Sequence, residues 1–148
     1  YDLEKENTEY RYQGKKVDAV LVDEAQFLSE AEIDTLSDLV DFYNIPVICY
    51  GLRTDFRNRL FPGSRRLMEI ADVIEEVPTV CWCGKRAQCN TRYANGEIVR
   101  EGAQIMLGSN ESYVALCRKH YKEGKLWKEA GAENETSTRR NCKIMEKE

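Results

Sequence analysis

Four residues that can bind a single metal ion constrain the fold of this chain more than any other feature. Cys81 and Cys83 form one close pair, and Cys117 and His120 form a second pair further along the chain. Structural Zn²⁺ sites take four Cys or His ligands in a tetrahedron, commonly as two pairs that are each close in sequence. Gly84 follows the first pair, where a tight turn needs a residue that tolerates positive φ. The spacing predicts a structural zinc site; the alternative is unrelated buried thiols plus a surface histidine.

Composition favours a folded domain without a membrane segment. Of the 148 residues, 42% are hydrophobic and 32% are charged, and the formal net charge is −4. No apolar run approaches the ~20 residues that span a bilayer, so no membrane partner is expected. Six cysteines without a secretory segment indicate a reducing compartment, which predicts a cytoplasmic protein. No basic patch is interleaved with aromatic residues, so no nucleic-acid partner is expected.

The first half of the chain has the pattern of a strand–helix–strand unit. The apolar run at 17–22 predicts a strand that is buried on both faces of a parallel sheet, and 46–51 predicts a second buried strand. Between them, Ser29 and Glu32 form a capping box that starts an amphipathic helix over 30–44. This order predicts a right-handed crossover between two parallel strands.

Less regular elements follow the second strand. Residues 52–63 lack periodicity and contain Pro and Gly, so we predict a loop. A helix over about 65–71, with Ser64 as its N-cap, and a strand over 71–77 are predicted next.

The second half of the chain has shorter predicted segments and more cysteine than the first half. We predict a small β-rich zinc-binding module over 78–125, in which Asn95-Gly96 is the turn of a hairpin. The α/β part then occupies 1–77. Residues 126–148 are polar and are predicted to be a disordered tail.

Two acids directly follow the first predicted strand. Ligands of open parallel sheets bind beyond the carboxyl ends of the strands. In P-loop phosphotransferases, an acid at such a position helps to hold Mg²⁺ beside the nucleotide phosphates. Asp23 is therefore a candidate for magnesium support and Glu24 a candidate general base. Taken alone, such a pair is more often part of a strand-to-helix turn.

Five sequence motifs, taken in order, resemble those of the type II thymidine kinases. They are Asp23–Phe27, Gly51–Phe56, Leu60–Ser64, the two metal-binding pairs, and Gly108–Tyr113, which leads into the second pair. The resemblance covers about residues 14–123. It implies an α/β fold with an incomplete P-loop (RecA-like) parallel sheet with helices, followed by the small β-rich zinc module. It also implies ATP-dependent phosphorylation of the thymidine 5′-hydroxyl, and a homotetramer.

The resemblance also implies roles for individual residues. Glu24 matches the catalytic base, Asp23 matches the acid that supports Mg²⁺, and Gln26 lies on the same magnesium and ATP side. Thymidine is expected to contact Phe27, Leu52, Phe56, Phe61, Gln104, Ile105, Met106, Leu107, Gly108 and Tyr113. In this set the 52–63 loop closes over the nucleoside, and backbone groups of 104–108 read the thymine edge. Zn²⁺ is expected to be structural, since its four ligands leave no open position.

The phosphate-binding sequence of P-loop enzymes, G-x-x-x-x-G-K-[ST], does not occur in these 148 residues. The resembled family needs that loop to bind the ATP phosphates through backbone amides and a lysine. We therefore expect a chain truncated before residue 1 that is inactive alone.

Two other functions compete with the kinase interpretation. The sequence of Asp23–Gln26 resembles the DExx motif of helicases and related ATPases. A helicase would carry a Ser-Ala-Thr type motif near the next strand, where this chain has Gly51-Leu-Arg-Thr. A non-enzymatic zinc-ribbon binding module would need more exposed basic and aromatic residues near the metal than Trp82 and Lys85-Arg86 provide.

Overall fold

The structure, a computed structural model, describes residues 11–12, 14–105 and 112–128 and shows a mixed α/β fold. The strands are β1 (Arg11–Tyr12), β2 (Lys15–Lys16), β3 (Val20–Val22), β4 (Val47–Cys49), β5 (Cys89–Ala94), β6 (Glu97–Ile98) and β7 (Ser112–Leu116). The helices are α1 (Glu30–Tyr43), α2 (Pro62–Ile70) and α3 (Arg118–Glu123), with a 3₁₀ turn at Ala25–Phe27. None of the helices within the described ranges is long and apolar enough to cross a membrane.

The predicted strand–helix–strand unit is confirmed. Strands β3 and β4 pair in parallel, and α1 connects them through the 3₁₀ turn. The capping box is present, because the Ser29 hydroxyl accepts from the Glu32 amide and the Glu32 carboxylate accepts from the Ser29 amide. Asn44, in the left-handed region at φ 52°, ends the helix. Ile33 and Leu39 are its buried residues, and they anchor α1 to the rest of this unit.

The apolar runs predicted that β3 and β4 are buried on both faces, and this prediction is wrong for the described chain. Leu21 and Ile48 are paired in register, yet they are 68% and 48% exposed. A continuous apolar run indicates burial on both faces only if a layer of structure covers each face. Within the described residues, no element covers the face that these two side chains share.

Helix α2 begins earlier than its predicted start at residue 65. Pro62 occupies the first turn and Phe61 the N-cap position. Proline suits this position because its fixed φ matches the helix and its missing amide hydrogen has no helical partner there. Ser64 lies inside the first turn instead of capping the helix, and its hydroxyl donates to the Leu52 carbonyl at 2.6 Å. This bond fastens α2 to the start of the 52–61 loop.

The strand predicted over 71–77 does not form. Residues 71–77 follow α2 without regular secondary structure, and their side chains are exposed, with Val73 at 74% and Val77 at 79%. Apolar β-branched residues favour a strand only where a neighbouring strand pairs with them. Among the described residues, this segment has no such partner.

Besides the short β1-β2 pair and the parallel β3-β4 pair, the described residues form a third sheet, which is antiparallel and has the strand order β6-β5-β7. The predicted hairpin turn is confirmed, since Asn95 and Gly96 have φ of 51° and 77° and connect β5 to β6. Two positive φ angles in a two-residue turn match the twist of antiparallel strands. The core beside this sheet contains Cys81, Ala87, Cys89, Leu116, Cys117, Tyr121 and Leu126. Because Leu126 is buried and Trp127 packs edge-on against Tyr93, the packed region extends past the predicted boundary at residue 125.

Close packing between α2 and the 3₁₀ turn depends on Gly63. A β-carbon at this position would lie 2.6 Å from the Leu28 carbonyl oxygen and 2.7 Å from those of Ala25 and Gln26. We expect Gly63→Ala to lower the free energy of unfolding by ~1–3 kcal/mol, as overpacking does. The gain from alanine in a helix, about 1 kcal/mol at most, is smaller.

Urea unfolding measures this effect, with Arg65→Ala as the control on the same helix. Arg65 is exposed, so its replacement should change stability by no more than about 0.5 kcal/mol. Equal stability of Gly63→Ala and the parent protein would contradict the packing argument.

Candidate functional site

The two acids after β3 lie at the carboxyl end of the parallel pair, where sheets of this type bind ligands. Both are exposed. Glu24 has φ 52° and ψ 37°, in the left-handed region that residues with a β-carbon rarely adopt. Its amide donates to the Asp23 carboxylate at 2.8 Å, and the next amide, of Ala25, donates to the Tyr50 carbonyl at 2.9 Å. Surrounding bonds therefore hold the Glu24 backbone in a sparsely populated conformation, which persists only where neighbouring structure fixes it.

Gln26 connects the Glu24 carboxylate to the 52–61 loop. Its side chain is 1% exposed. The amide nitrogen donates to Glu24 Oε2, and the amide oxygen accepts from the Leu52 amide at 3.0 Å. A β-carbon on Gly51 would lie 2.5 Å from that oxygen, so glycine at this position leaves room for the Gln26 side chain to make this bond. The structure thus gives Gln26 a positioning contact, while its predicted place on the magnesium and ATP side stays a prediction.

The 52–61 loop is organised around a buried carboxylate. Asp55 is 1% exposed and accepts hydrogen bonds from the backbone amides of Arg57 and Arg59 and from the Arg57 guanidinium. Burial opposes ionisation of Asp55, but these bonds and one from Gln104 outweigh it and lower the pKa of the carboxyl. The loop is therefore held by charge-assisted hydrogen bonds within itself.

A cleft of about 360 Å³ opens beside this loop. It is lined by Gln26, Phe27, Leu28, Ser29, Glu32, Phe61, Pro62, Gln104 and Ile105. Phe27 and Phe61 meet edge to face, with ring centroids 5.6 Å apart. Four of the residues predicted to contact thymidine therefore share one cavity, namely Phe27, Phe61, Gln104 and Ile105.

Three other predicted nucleoside contacts, Leu52, Phe56 and Tyr113, do not line this cleft. Phe56 is buried at 1% exposure, and Leu52 and Tyr113 are half-exposed. Met106, Leu107 and Gly108 lie outside the described residues. Gln104 connects the cleft to the buried carboxylate of the 52–61 loop, because its side-chain amide donates to Asp55 Oδ2 at 3.0 Å.

The sequence did not single out Arg92, which the structure places among these residues. It lies in β5 and is 1% exposed. Its guanidinium stacks on the Phe56 ring at 3.8 Å and donates to the Tyr113 hydroxyl and to backbone carbonyls at 103 and 104. The available signal was a charged residue within a strand, and sequence spacing does not distinguish such a residue from a solvent-exposed one.

The four predicted metal ligands come together as expected. The ligand atoms of Cys81, Cys83, Cys117 and His120 all lie within 4.8 Å of one another. Cys81 Sγ is 3.4 Å from His120 Nδ1, and Cys83 Sγ is 3.9 Å from Cys117 Sγ. Ligands 2.0–2.3 Å from a tetrahedral Zn²⁺ are separated by roughly 3.3–3.8 Å. The two separations of 3.4 and 3.9 Å are close to this range, and the donor atoms are those of a four-coordinate zinc site.

The surroundings of the cluster orient its ligands. Gly84 has φ 83°, which allows the turn after the first pair to fold back, as predicted. The Trp82 ring stacks on the His120 ring at 4.1 Å, and its Nε1 donates to the Lys125 carbonyl at 3.1 Å. Burial lowers the pKa of His120, which favours the neutral imidazole that binds a metal. The chain thus presents a pre-oriented Cys₃His set.

Comparison with known proteins gives one consistent result. The sequence profile of the family described as thymidine kinase matches residues 3–121. A thymidine kinase of Haemophilus influenzae is 54% identical over 110 residues, which are 74% of this chain and 57% of the relative. One from Legionella pneumophila is 50% identical over 121 residues, covering 81% and 58%, and one from Pasteurella multocida is 51% identical over 112 residues, covering 75% and 58%. The chain therefore spans little more than half the length of these curated relatives.

Proposed function

This chain belongs to the thymidine kinase family, and we propose that the full-length protein phosphorylates the 5′-hydroxyl of thymidine with ATP to give thymidine monophosphate. The reaction serves nucleotide salvage and DNA precursor synthesis. The observation that carries the proposal is the hydrogen-bonded link from Glu24 through Gln26 to the Leu52 amide. It joins a carboxylate at the carboxyl end of a parallel sheet to the loop that is expected to cover the nucleoside.

Glu24 is proposed as the general base. Its carboxylate is exposed at the strand end and is oriented by Gln26, so it can accept the proton of the 5′-hydroxyl as the phosphoryl group arrives. Asp23 is an exposed carboxylate one residue earlier. Its oxygen atoms are ligands of the kind that Mg²⁺ prefers. When bound there, Mg²⁺ would neutralise charge on the ATP phosphates during transfer.

The nucleoside is proposed to bind between the 52–61 loop and the segment 104–108. Phe27 and Phe61 supply an aromatic surface in the cleft, which suits a planar base. Leu52, Phe56 and Tyr113 are proposed to enclose the sugar and base. Base selection through backbone groups is discriminating, because a mismatched base leaves buried polar groups unpaired.

Zinc at the Cys₃His cluster is proposed to be structural. The cluster ties the turn at Cys81–Cys83 to the end of β7 and the start of α3, and so it fixes the strand that carries Tyr113. A small module gains much of its stability from such a metal, since its hydrophobic core is limited. The metal thus supports the nucleoside site from a distance and takes no part in phosphoryl transfer.

Further properties of the full-length protein are proposed from the family. We propose that β3 and β4 belong to a P-loop (RecA-like) parallel sheet, and that the protein is a cytoplasmic homotetramer without a nucleic-acid or membrane partner. The parallel register of β3 and β4 and their exposed apolar pair, Leu21 and Ile48, are consistent with a larger sheet and a covering layer.

Incubation of the full-length protein with labelled ATP, Mg²⁺ and thymidine tests the function. We expect label to appear in thymidine monophosphate, and the 148-residue chain alone, which lacks the phosphate-binding sequence, should form none. Nucleic-acid-stimulated ATP hydrolysis without nucleoside phosphorylation would instead favour the helicase interpretation. If a zinc-loaded protein showed neither of these two activities, the result would favour a binding module.

A further inference from the structure

Arg92 is a buried cation at the meeting point of three separate segments. Its guanidinium carbon lies 3.8 Å from the centre of the Phe56 ring and 5.5 Å from that of Tyr113. Nε donates to the Tyr113 hydroxyl at 2.8 Å, and the two terminal nitrogens donate to the carbonyls of Ala103 at 3.0 Å and Gln104 at 3.3 Å. The three segments are the 52–61 loop, the start of β7, and the stretch that leads into 104–108.

These contacts require the shape of arginine. A guanidinium is planar, so it can lie flat on an aromatic ring while its edge donates to several acceptors in fixed directions. Lysine has one ammonium group, which cannot stack in this way and reach all of these oxygens together. A buried charge is also unfavourable unless hydrogen bonds compensate its desolvation. The guanidinium and its acceptors therefore depend on one another for stability.

Other bonds fasten the 52–61 loop without passing through Arg92. The Gln104 side-chain amide donates to Asp55 Oδ2 at 3.0 Å and to the Leu60 carbonyl at 3.5 Å. The Tyr121 hydroxyl, in α3, donates to the Phe56 carbonyl at 3.0 Å. The loop is therefore fastened to the second half of the chain at several points, and Arg92 is the one that also contacts Tyr113. Loss of Arg92 should loosen the loop without releasing it.

The geometry points to Arg92 as a positioning residue that sets nucleoside affinity by holding Phe56, Tyr113 and the carbonyls of 103–104 in place before the nucleoside binds. This inference rests on the proposed function for its effect on thymidine, and on the structure alone for its effect on the loop. Preorganisation of this kind raises affinity because the ordering of loop and side chains does not have to occur on binding. It predicts a change in the Michaelis constant for thymidine and little change in the transfer step.

Steady-state kinetics of Arg92→Lys and Arg92→Met in the full-length protein test the proposal. We expect the KM for thymidine to rise about tenfold or more in Arg92→Met and less in Arg92→Lys, as for loss of buried hydrogen bonds to a charged group. The kcat at saturating thymidine, the KM for ATP and the zinc content should stay near those of the parent protein. Unchanged KM for thymidine, or an equal fall in kcat, would overturn the proposal.

Arg100 provides a matched control in the same half of the chain. Its guanidinium stacks on the Tyr121 ring at 4.8 Å and donates to the Tyr121 carbonyl at 2.6 Å, so it makes the same kinds of contact without itself touching Phe56 or Tyr113. Arg100→Lys should leave the KM for thymidine unchanged. A similar rise in both variants would show a general loss of stability and would contradict a specific role for Arg92.

Limited trypsin digestion separates this proposal from the proposed function, because it requires no kinase activity. The 52–61 loop contains Arg53, Arg57 and Arg59 as cleavage sites. We expect faster cleavage there in Arg92→Lys than in Arg100→Lys. If the parent protein did not phosphorylate thymidine but this difference appeared, the function would be wrong and the positioning role correct; equal cleavage of both variants would overturn the positioning role.

Discussion

We expect Glu24→Gln in the full-length protein to lower kcat by roughly 10²–10⁴-fold, the usual contribution of a general base, with thymidine binding almost unchanged. Glutamine keeps the size of the side chain and a carbonyl oxygen that can still accept from Gln26, so the link to Leu52 is retained. Only the ability to take a proton from the 5′-hydroxyl is lost. Steady-state kinetics combined with calorimetric titration of thymidine separates the chemical step from binding.

Two other substitutions serve as controls for Glu24→Gln. Glu75→Gln removes an exposed carboxylate from the irregular segment after α2 and should leave kcat unchanged. Asp23→Asn should lower the rate in a way that partly recovers at high Mg²⁺, because its proposed role is metal support. If Glu24→Gln kept more than roughly a tenth of the parent kcat, the loss would be smaller than the range of general-base effects. Glu24 would then be a turn residue and not the base.

We expect the double substitution Cys81→Ser with Cys117→Ser to abolish zinc binding and to unfold the second half of the chain. One ligand is removed from each pair, and two remaining ligands cannot hold the ion in a closed tetrahedral site. Zinc binding in small modules contributes about 10–16 kcal/mol, which is comparable with the whole stability of an ordinary domain, about 5–15 kcal/mol. Metal analysis and thermal unfolding, with and without a chelator, measure the two effects.

Cys49→Ser is the matched control for the zinc prediction. Cys49 is half-buried in β4 and is not among the four residues of the metal-binding cluster. The variant should retain one zinc ion per chain. A chelator should lower its thermal unfolding temperature by no more than it does in the parent protein. Purified parent protein without zinc, or unchanged zinc content in the double variant, would refute the assignment.

The features that the sequence predicted correctly depend on neighbouring residues. The capping box at Ser29 and Glu32 and the turn at Asn95-Gly96 are determined within a few positions, because each satisfies backbone groups or dihedral preferences locally. The metal cluster spans a longer distance. Its ligand types and their close pairing still allow one arrangement to be chosen, since few residue types bind zinc.

The incorrect predictions depended on tertiary contacts, which a pattern of apolar residues in the sequence does not reveal. Burial of Leu21 and Ile48 on both faces, and the strand over 71–77, each required a neighbouring layer or strand that the described chain does not provide. The early start of α2 followed from Pro62, whose preference for a first helical turn competed with Ser64 as a cap. In each case, the residue preference was present and the tertiary partner decided the outcome.

By itself, the sequence determined which chemistry is present: the acids after the first strand, the aromatic residues of the loop, and a Cys₃His set. The tertiary structure alone decided how these groups are held. Gln26 reaches from Glu24 to Leu52, and Arg92 reaches from β5 to Phe56 and Tyr113, across separations that no periodic pattern records. The physical reason is that a polar or charged side chain looks the same in sequence whether solvent or buried acceptors satisfy it, and only folding determines which of the two does so.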